Sequence, residues 1–213
     1  MKKTTRQIDV WTGQFGKEYT DRNAHSIAEM NDMYIHNYGV TRTDMNQRFI
    51  GDLDRGIKIL EVGSNVGNQL LCLQMMEFQN LYGIELQAYA VDLSKQRTKN
   101  INIIQGSAFD IPFKDGFFDL VFTSGVLIHI APQDISDVIS EIFRCTNTYI
   151  WGFEYYADTY TEVQYRQQTS LLWKANFSTL YQEQFPSLKL IKKEHFPYLN
   201  NPNIDSMFLL KRS

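Results

Sequence analysis

Hydrophobic positions along the middle of the chain switch repeatedly between two periods, and the switching predicts the elements. A short apolar run at Ile57–Val62 is broken by Gly63, and Asn68–Phe78 then carries Leu70, Leu71, Leu73 and Met76 at helical spacing. This reads as strand, turn, helix. The pattern recurs with a strand at Leu81–Glu85, a helix at Ala88–Lys99 and a strand at Ile101–Gln105, before the turn-prone stretch Asp110–Gly116. Phe117–Thr123, rich in Phe, Leu and Val, predicts a fourth, fully buried strand. Pro132 opens a helix whose Ile135, Val138, Ile139, Ile142 and Phe143 form one apolar stripe. A fifth strand is expected at Thr148–Glu154, followed by a polar aromatic insertion, a helix near Leu171–Gln184, and closing strands at Leu188–Phe196 and Ser206–Lys211. Seven strands joined largely through helices imply parallel βαβ units. Ahead of them, residues 1–50 read as mostly helical, roughly Trp11–Tyr19, Ser26–Tyr38 and a helix approaching Ile50.

Composition narrows the function classes. With 213 residues, 43% apolar and 21% charged, the chain is within reach of one hydrophobic core. A net charge of −3 and no run of five Lys or Arg leave no electrostatic footprint for nucleic acid, so no nucleic-acid partner is expected. The two cysteines, Cys72 and Cys145, fall in helical segments and read as buried thiols. His25, His36, His129 and His195 share no metal-ligand spacing, so no metal is expected. The N-terminal stretch lacks an apolar h-region, and no window approaches eighteen apolar residues, which predicts a cytoplasmic protein without a membrane partner.

The chemistry begins at Ile59-Leu60-Glu61-Val62-Gly63-Ser64-Asn65-Val66-Gly67-Asn68. A glycine turn between strand and helix lets backbone approach a ligand, and the helix start offers N–H groups to an anion. Glu85 ends the second strand twenty-two positions after Gly63, near the roughly 20 expected for a ribose-binding carboxylate. A phosphate-binding P-loop needs a Gly-Lys-Ser/Thr ending, which Gly67-Asn68-Gln69 lacks. A dinucleotide fingerprint needs glycines where Asn65 and Asn68 stand.

These residues resemble the first motif of class I S-adenosylmethionine-dependent methyltransferases, with Asn65 in place of the middle glycine. Gln105-Gly106-Ser107-Ala108-Phe109-Asp110 resembles the family's adenine-flanking segment, and Phe118–Ile130 its fourth strand and the loop beside the methionyl moiety. The resemblance implies a Rossmann-like α/β fold with a seven-stranded, mostly parallel sheet, one antiparallel strand and an N-terminal helical lid. It also implies S-adenosyl-L-methionine as cofactor, held by Glu61, Gly63, Ser64, Asn65, Gly67, Glu85, Leu86, Ser107, Ala108, Thr123 and Gly125, with Tyr19 and Arg22 from the lid. The expected organisation is one domain over residues 1–213: lid 1–50, cofactor-binding core 57–154, substrate-side insertion and helix 155–186, and closing strands 187–213.

A closer resemblance is to the methylases associated with pseudaminic acid biosynthesis. Residues 11–23, Phe153-Glu154-Tyr155-Tyr156, Tyr165-Arg166 and Leu172-Trp173-Lys174 carry it. It implies N- or O-methylation of a nonulosonic-acid-type sugar or precursor used in bacterial flagellin or surface glycans. His129, just past strand four, is the candidate general base; a hydrogen-bonded core histidine is the competing reading. Glu154 and Tyr155 end strand five and are further catalytic candidates. Tyr165, Arg166, Trp173 and Lys174 offer cations and ring faces to a sugar carboxylate, whereas Trp173 alone also suits packing. Two alternatives stay open: another small metabolite or a tRNA base as acceptor, and a non-catalytic cofactor-binding partner.

Overall fold

The computed structural model describes residues 3–165 and 169–213, in two compact units that meet in sequence at Pro112 and Phe113.

In the first unit, four helices precede the sheet: α1 (Arg6–Thr12), α2 (Gln14–Asn23), α3 (Ile27–Tyr38) and α4 (Arg42–Ile50). Local chemistry sets their bounds. Ser26 and Glu29 form a reciprocal capping box at the start of α3, and Gly39 ends it in the left-handed region at φ 73°. Where the pattern predicts one helix over Trp11–Tyr19, Gly13 in extended backbone breaks it into α1 and α2. The strands β1 (Lys58–Val62), β2 (Asn80–Glu85) and β3 (Ile101–Gln105) alternate with α5 (Asn68–Met75) and α6 (Ala88–Arg97). They pair in parallel with β2 in the middle, so Val62 lies opposite Ile84 and Glu85 opposite Gln105. The carboxyl ends of all three therefore share one edge, where open α/β sheets bind ligands.

In the second unit, β4 (Phe118–Ser124) pairs in parallel with β5 (Thr146–Tyr155), which pairs antiparallel with β9 (Ile204–Arg212); β8 (Leu188–Pro197) and β9 form the closing hairpin. A 3-10 turn at Leu127–His129 and α7 (Ile135–Cys145) join β4 to β5. Pro132 sits in the turn before α7, closed by Asp134 N–H donating to Ala131 O at 2.8 Å, which delays the helix to Ile135. The helix expected near Leu171–Gln184 is shorter. Trp173–Lys174 (β7) instead pairs with Thr161–Glu162 (β6) as a separate ribbon, and Asn176 caps α8 (Phe177–Gln184) by accepting from Thr179 N.

Setting the ribbon aside, the fold is a seven-stranded, mostly parallel sheet flanked by helices, with β9 the antiparallel strand, as the pattern and the family resemblance together implied. Cys72 and Cys145 are buried free thiols on α5 and α7. Among the described residues, no helix is long and apolar enough to cross a membrane.

Candidate cofactor and acceptor sites

The turn after β1 passes through left-handed backbone three times, at Gly63 (φ 75°), Asn65 (φ 46°) and Gly67 (φ 82°). Asparagine is among the few side chains that tolerate that region, so its replacement of a glycine leaves the turn intact. Gly63 N–H and Ser64 N–H both donate to Ile84 O, at 2.8 and 3.0 Å, and tie the turn to β2. The approach is close enough that a Cβ on Gly83 would stand 2.6 Å from Ser64 Oγ. Gly83→Ala is therefore expected to destabilise the protein by about 1–3 kcal/mol, because the turn must shift to admit one methyl. Thermal unfolding checks this; an unchanged Tm would show that the turn moves freely. A Cβ on Gly67 would press on Ile103 Cδ1 and Thr98 Cγ2, both at 3.0 Å, so glycine there serves backbone conformation and packing.

Glu85 stands at the end of β2 with its carboxylate fixed by backbone: Oε2 accepts from Asn65 N–H and Oε1 from Gln87 N–H, each at 2.8 Å. A carboxylate has about four acceptor positions, so lone-pair capacity for a ligand hydroxyl remains beyond the backbone N–H groups of Gln87, Asn65 and Leu86. Burial pushes its pKa up, while its backbone N–H bonds pull it down. Glu61 is buried at the end of β1, and burial holds its pKa well above the usual range, opposed by Arg42 and reinforced by Glu85. Among the described residues, Glu61 Oε2 and Asn65 Oδ1 are buried without a hydrogen-bond partner. Two orphaned acceptors beside a helix start that carries no side-chain cap suit a ligand with an ammonium and a carboxylate on one carbon. Ser64 Oγ, also without a partner, lies against Gly83.

Gly106 N–H donates to Glu85 O at 3.0 Å and brings the next turn alongside. There Ser107 Oγ accepts from Phe109 N–H at 3.2 Å, and Ser107 and Ala108 are partly exposed. The structure thus gathers Glu61, Gly63, Ser64, Asn65, Gly67, Glu85, Leu86, Ser107 and Ala108 on one edge. Tyr19 and Arg22 lie on α2; the Tyr19 ring meets Trp11 edge-on at 5.1 Å, and Arg22 is exposed in the last turn.

In the second unit, Glu154 is buried and accepts from Val126 N–H at 3.2 Å and Ile128 N–H at 3.4 Å, with a hydrogen bond to the Thr123 side chain. Burial pushes its pKa up to about 7 against these bonds. Its carboxylate fastens the loop after β4, which turns at Gly125 (φ 67°) and carries His129. His129 Nδ1 lies 2.8 Å from Leu171 O. A carbonyl only accepts, so Nδ1 holds the proton and the neutral ring keeps its lone pair on Nε2. Burial lowers the pKa of His129 to about 4, so the ring is neutral at pH 7.

Two pairs of rings belong to this part of the unit. His129 and Tyr165 stand 5.7 Å apart between centroids, and Tyr198 donates its hydroxyl to Tyr155 at 3.2 Å. Lys174 Nζ lies 5.4 Å from the centre of the Tyr155 ring and donates to Asn203 Oδ1. Tyr155 and Tyr165 interact electrostatically, which links these two groups. Trp173 is buried in the ribbon, and Arg166 lies outside the described residues. Tyr198 and Asn203, from the turn between β8 and β9, escape sequence reasoning because turn residues carry no periodic signal. Gln87, Arg97 and the fully buried Arg42 escape it too, since only tertiary neighbours give them roles.

Residues 60–148 match the family described as methyltransferase domain. Botryococcene C-methyltransferase of Botryococcus braunii is 32% identical over 98 residues, covering 43% of this chain and 25% of that protein. An uncharacterised methyltransferase of Staphylococcus carnosus is 33% identical over 93 residues, 41% of each chain. The chain thus spans between a quarter and less than half of the length of these relatives. The crystal structure of magnesium protoporphyrin IX methyltransferase from Synechocystis, with bound S-adenosylmethionine, aligns over 100% of both chains at a TM-score of 0.72 and 11% identity, a likeness of fold. These matches support the class I methyltransferase reading and S-adenosylmethionine as cofactor; they do not support the narrower pseudaminic acid family.

Proposed function

We propose that this chain with a methyltransferase domain transfers the methyl group of S-adenosylmethionine to a small anionic acceptor, of nonulosonic-acid type or a precursor of one. Within the cofactor site, Glu85 suits a ribose hydroxyl, Glu61 and Asn65 the methionyl ammonium, and the start of α5 the methionyl carboxylate. Leu86, Ser107 and Ala108 border the adenine in this reading, and Tyr19 and Arg22 cover the cofactor from α2. The cofactor supplies a methyl group on a sulfonium, so the protein needs chiefly to align an acceptor lone pair and exclude water. Where the acceptor is a hydroxyl, His129 Nε2 takes its proton. Glu154 serves by holding the loop that carries His129, and Tyr155 by directing its hydroxyl to the acceptor. Thr123 and Gly125 shape that same loop.

The observation that carries the anionic acceptor is Lys174. Its ammonium is held over a tyrosine ring by an asparagine carbonyl, and among the described residues no carboxylate pairs with it. A preorganised cation of this kind favours a negatively charged partner. Tyr165 offers a ring face for the sugar, Trp173 packs the ribbon beneath Lys174, and Arg166 adds a second cation from the insertion. Lys174→Met is expected to raise the KM for a sugar acid about ten- to a hundredfold, the factor lost with one hydrogen bond to a charged group, with little change in cofactor affinity. Labelled methyl transfer to a panel of sugar acids and their methyl esters tests this. Methylation confined to uncharged metabolites or to tRNA, with Lys174→Met unimpaired, would remove the sugar-acid acceptor and leave methyl transfer standing.

A further inference from the structure

We propose that Gln87 is a latch that couples closure of α1 and α2 to occupation of the cofactor site, an inference that rests on reading Glu85 as the ribose acceptor. One residue grips both partners. Its backbone N–H donates to Glu85 Oε1 at 2.8 Å, while its side-chain Nε2 reaches the carbonyls of Trp11, Thr12 and Gly13 at 3.3, 3.0 and 3.2 Å. Those three carbonyls lie where α1 breaks into α2, so the amide holds the lid at its elbow.

The other end of α2 is held as well. Arg97 donates to Ala24 O at 3.1 Å, His25 O at 2.5 Å and Asn68 Oδ1 at 3.0 Å, and Asn68 Nδ2 donates to Asn23 O at 2.7 Å. Asn68 is the first residue of α5, so this clamp sits at the end of the site assigned to the methionyl carboxylate. Between the two anchors, Tyr89 donates its hydroxyl to Asp21 at 2.7 Å and lies beneath Lys17 Nζ at 4.9 Å. The helix bearing Tyr19 and Arg22 is thus slung between a ribose-end latch and a carboxylate-end clamp.

Apolar packing in this attachment is partial: Ile8, Val10, Trp11, Phe15 and Tyr19 are half-buried, and no large hydrophobic side chain of the two helices is fully buried. The buried residues of α1 and α2 are Gln7, Gly16 and Thr20, none of them a large hydrophobic side chain. A segment without a fully buried apolar anchor opens at low free energy, and its opening for exchange of the cofactor requires release of these hydrogen bonds. A ligand that fixes Glu85 also fixes the backbone of Gln87, and with it the direction in which the amide reaches the lid.

The discriminating variant is Gln87→Asn. Gln87 also caps α6 by accepting from Tyr89 N–H at 3.3 Å, and asparagine is a good N-cap that lacks the reach to the lid. Hydrogen exchange over residues 6–23 is expected to be faster in Gln87→Asn than in the wild type, with and without S-adenosylhomocysteine. Stopped-flow dissociation of that ligand is expected to accelerate about tenfold, with association little changed. Gln87→Glu, which sets a carboxylate against three carbonyls, is expected to act in the same direction and further. Wild-type exchange and dissociation in both variants would overturn the latch while leaving the cofactor assignment in place. A wild-type protein that binds no S-adenosylhomocysteine would overturn that assignment and the coupling together.

Discussion

Replacing Glu85 by alanine is expected to weaken binding of S-adenosylmethionine and of its demethylated product by roughly a hundredfold or more, since each hydrogen bond to a charged group contributes about 1.5–3 kcal/mol. The loss has two sources. In the proposed cofactor site the ribose loses its acceptor, and Asn65 N–H and Gln87 N–H lose the oxygens that hold them at 2.8 Å. The second effect loosens the glycine turn, so the alanine variant is expected to unfold at a somewhat lower temperature as well. Glu85→Gln separates the two sources, because one amide oxygen still accepts while the amide nitrogen faces a donor. Calorimetric titration of both ligands checks the prediction, with unfolding curves as the control for structure. Wild-type affinity in a folded alanine variant would remove Glu85 from the cofactor site.

His129→Ala is expected to lower turnover on a hydroxyl acceptor by roughly two orders of magnitude or more, with cofactor affinity nearly intact. The pH profile gives a sharper signature. Only the neutral imidazole accepts a proton, and burial lowers the pKa to about 4, so activity should persist above that value and fail as pH drops through it. An ordinary histidine would place this limb near 6.5. Glu154 titrates separately. Its pKa is raised to about 7, so its ionised form, the stronger acceptor for the loop N–H groups, is populated as pH rises past neutrality. Glu154→Gln is therefore expected to flatten any change in rate near pH 7 while keeping the acid limb. A near-wild-type rate in His129→Ala would take the histidine out of proton transfer and favour an amine acceptor, whose lone pair is already available.

Much of the fold is legible without the structure because its signals are local. The switch between helical and strand periodicity marks β1 through α7 to within a few residues, since burial on a sheet face and on a helix stripe selects different spacings. Errors gather where local signals compete. Leu171, Leu172 and Trp173 are apolar enough to extend a helix, yet Asn176 caps α8 only afterwards, and Trp173 pairs with Glu162 across the ribbon. At Gly13 a polar, aromatic stretch suits one helix, but the extended backbone there makes two.

The same division applies to the site. Glu61, the glycine turn and Glu85 are readable because a strand end, a tight turn and a helix start must follow one another in sequence to form such a cradle. Sequence alone marked that strand, turn and helix start, and the resemblance to a methyltransferase motif supplied the cofactor expectation. Sequence did not determine which lone pairs the cradle leaves open, since Asn65 N–H reaches Glu85 across twenty residues of sequence. Nor did it determine the protonation of His129, which depends on Leu171 O forty-two residues away and on burial. Gln87 carries no signal in sequence, and only folding sets the carbonyls of Trp11, Thr12 and Gly13 against its amide. Contacts along one turn of chain are encoded by spacing; hydrogen bonds that close between distant segments depend on the packing of every element between them, and tertiary structure alone decides those.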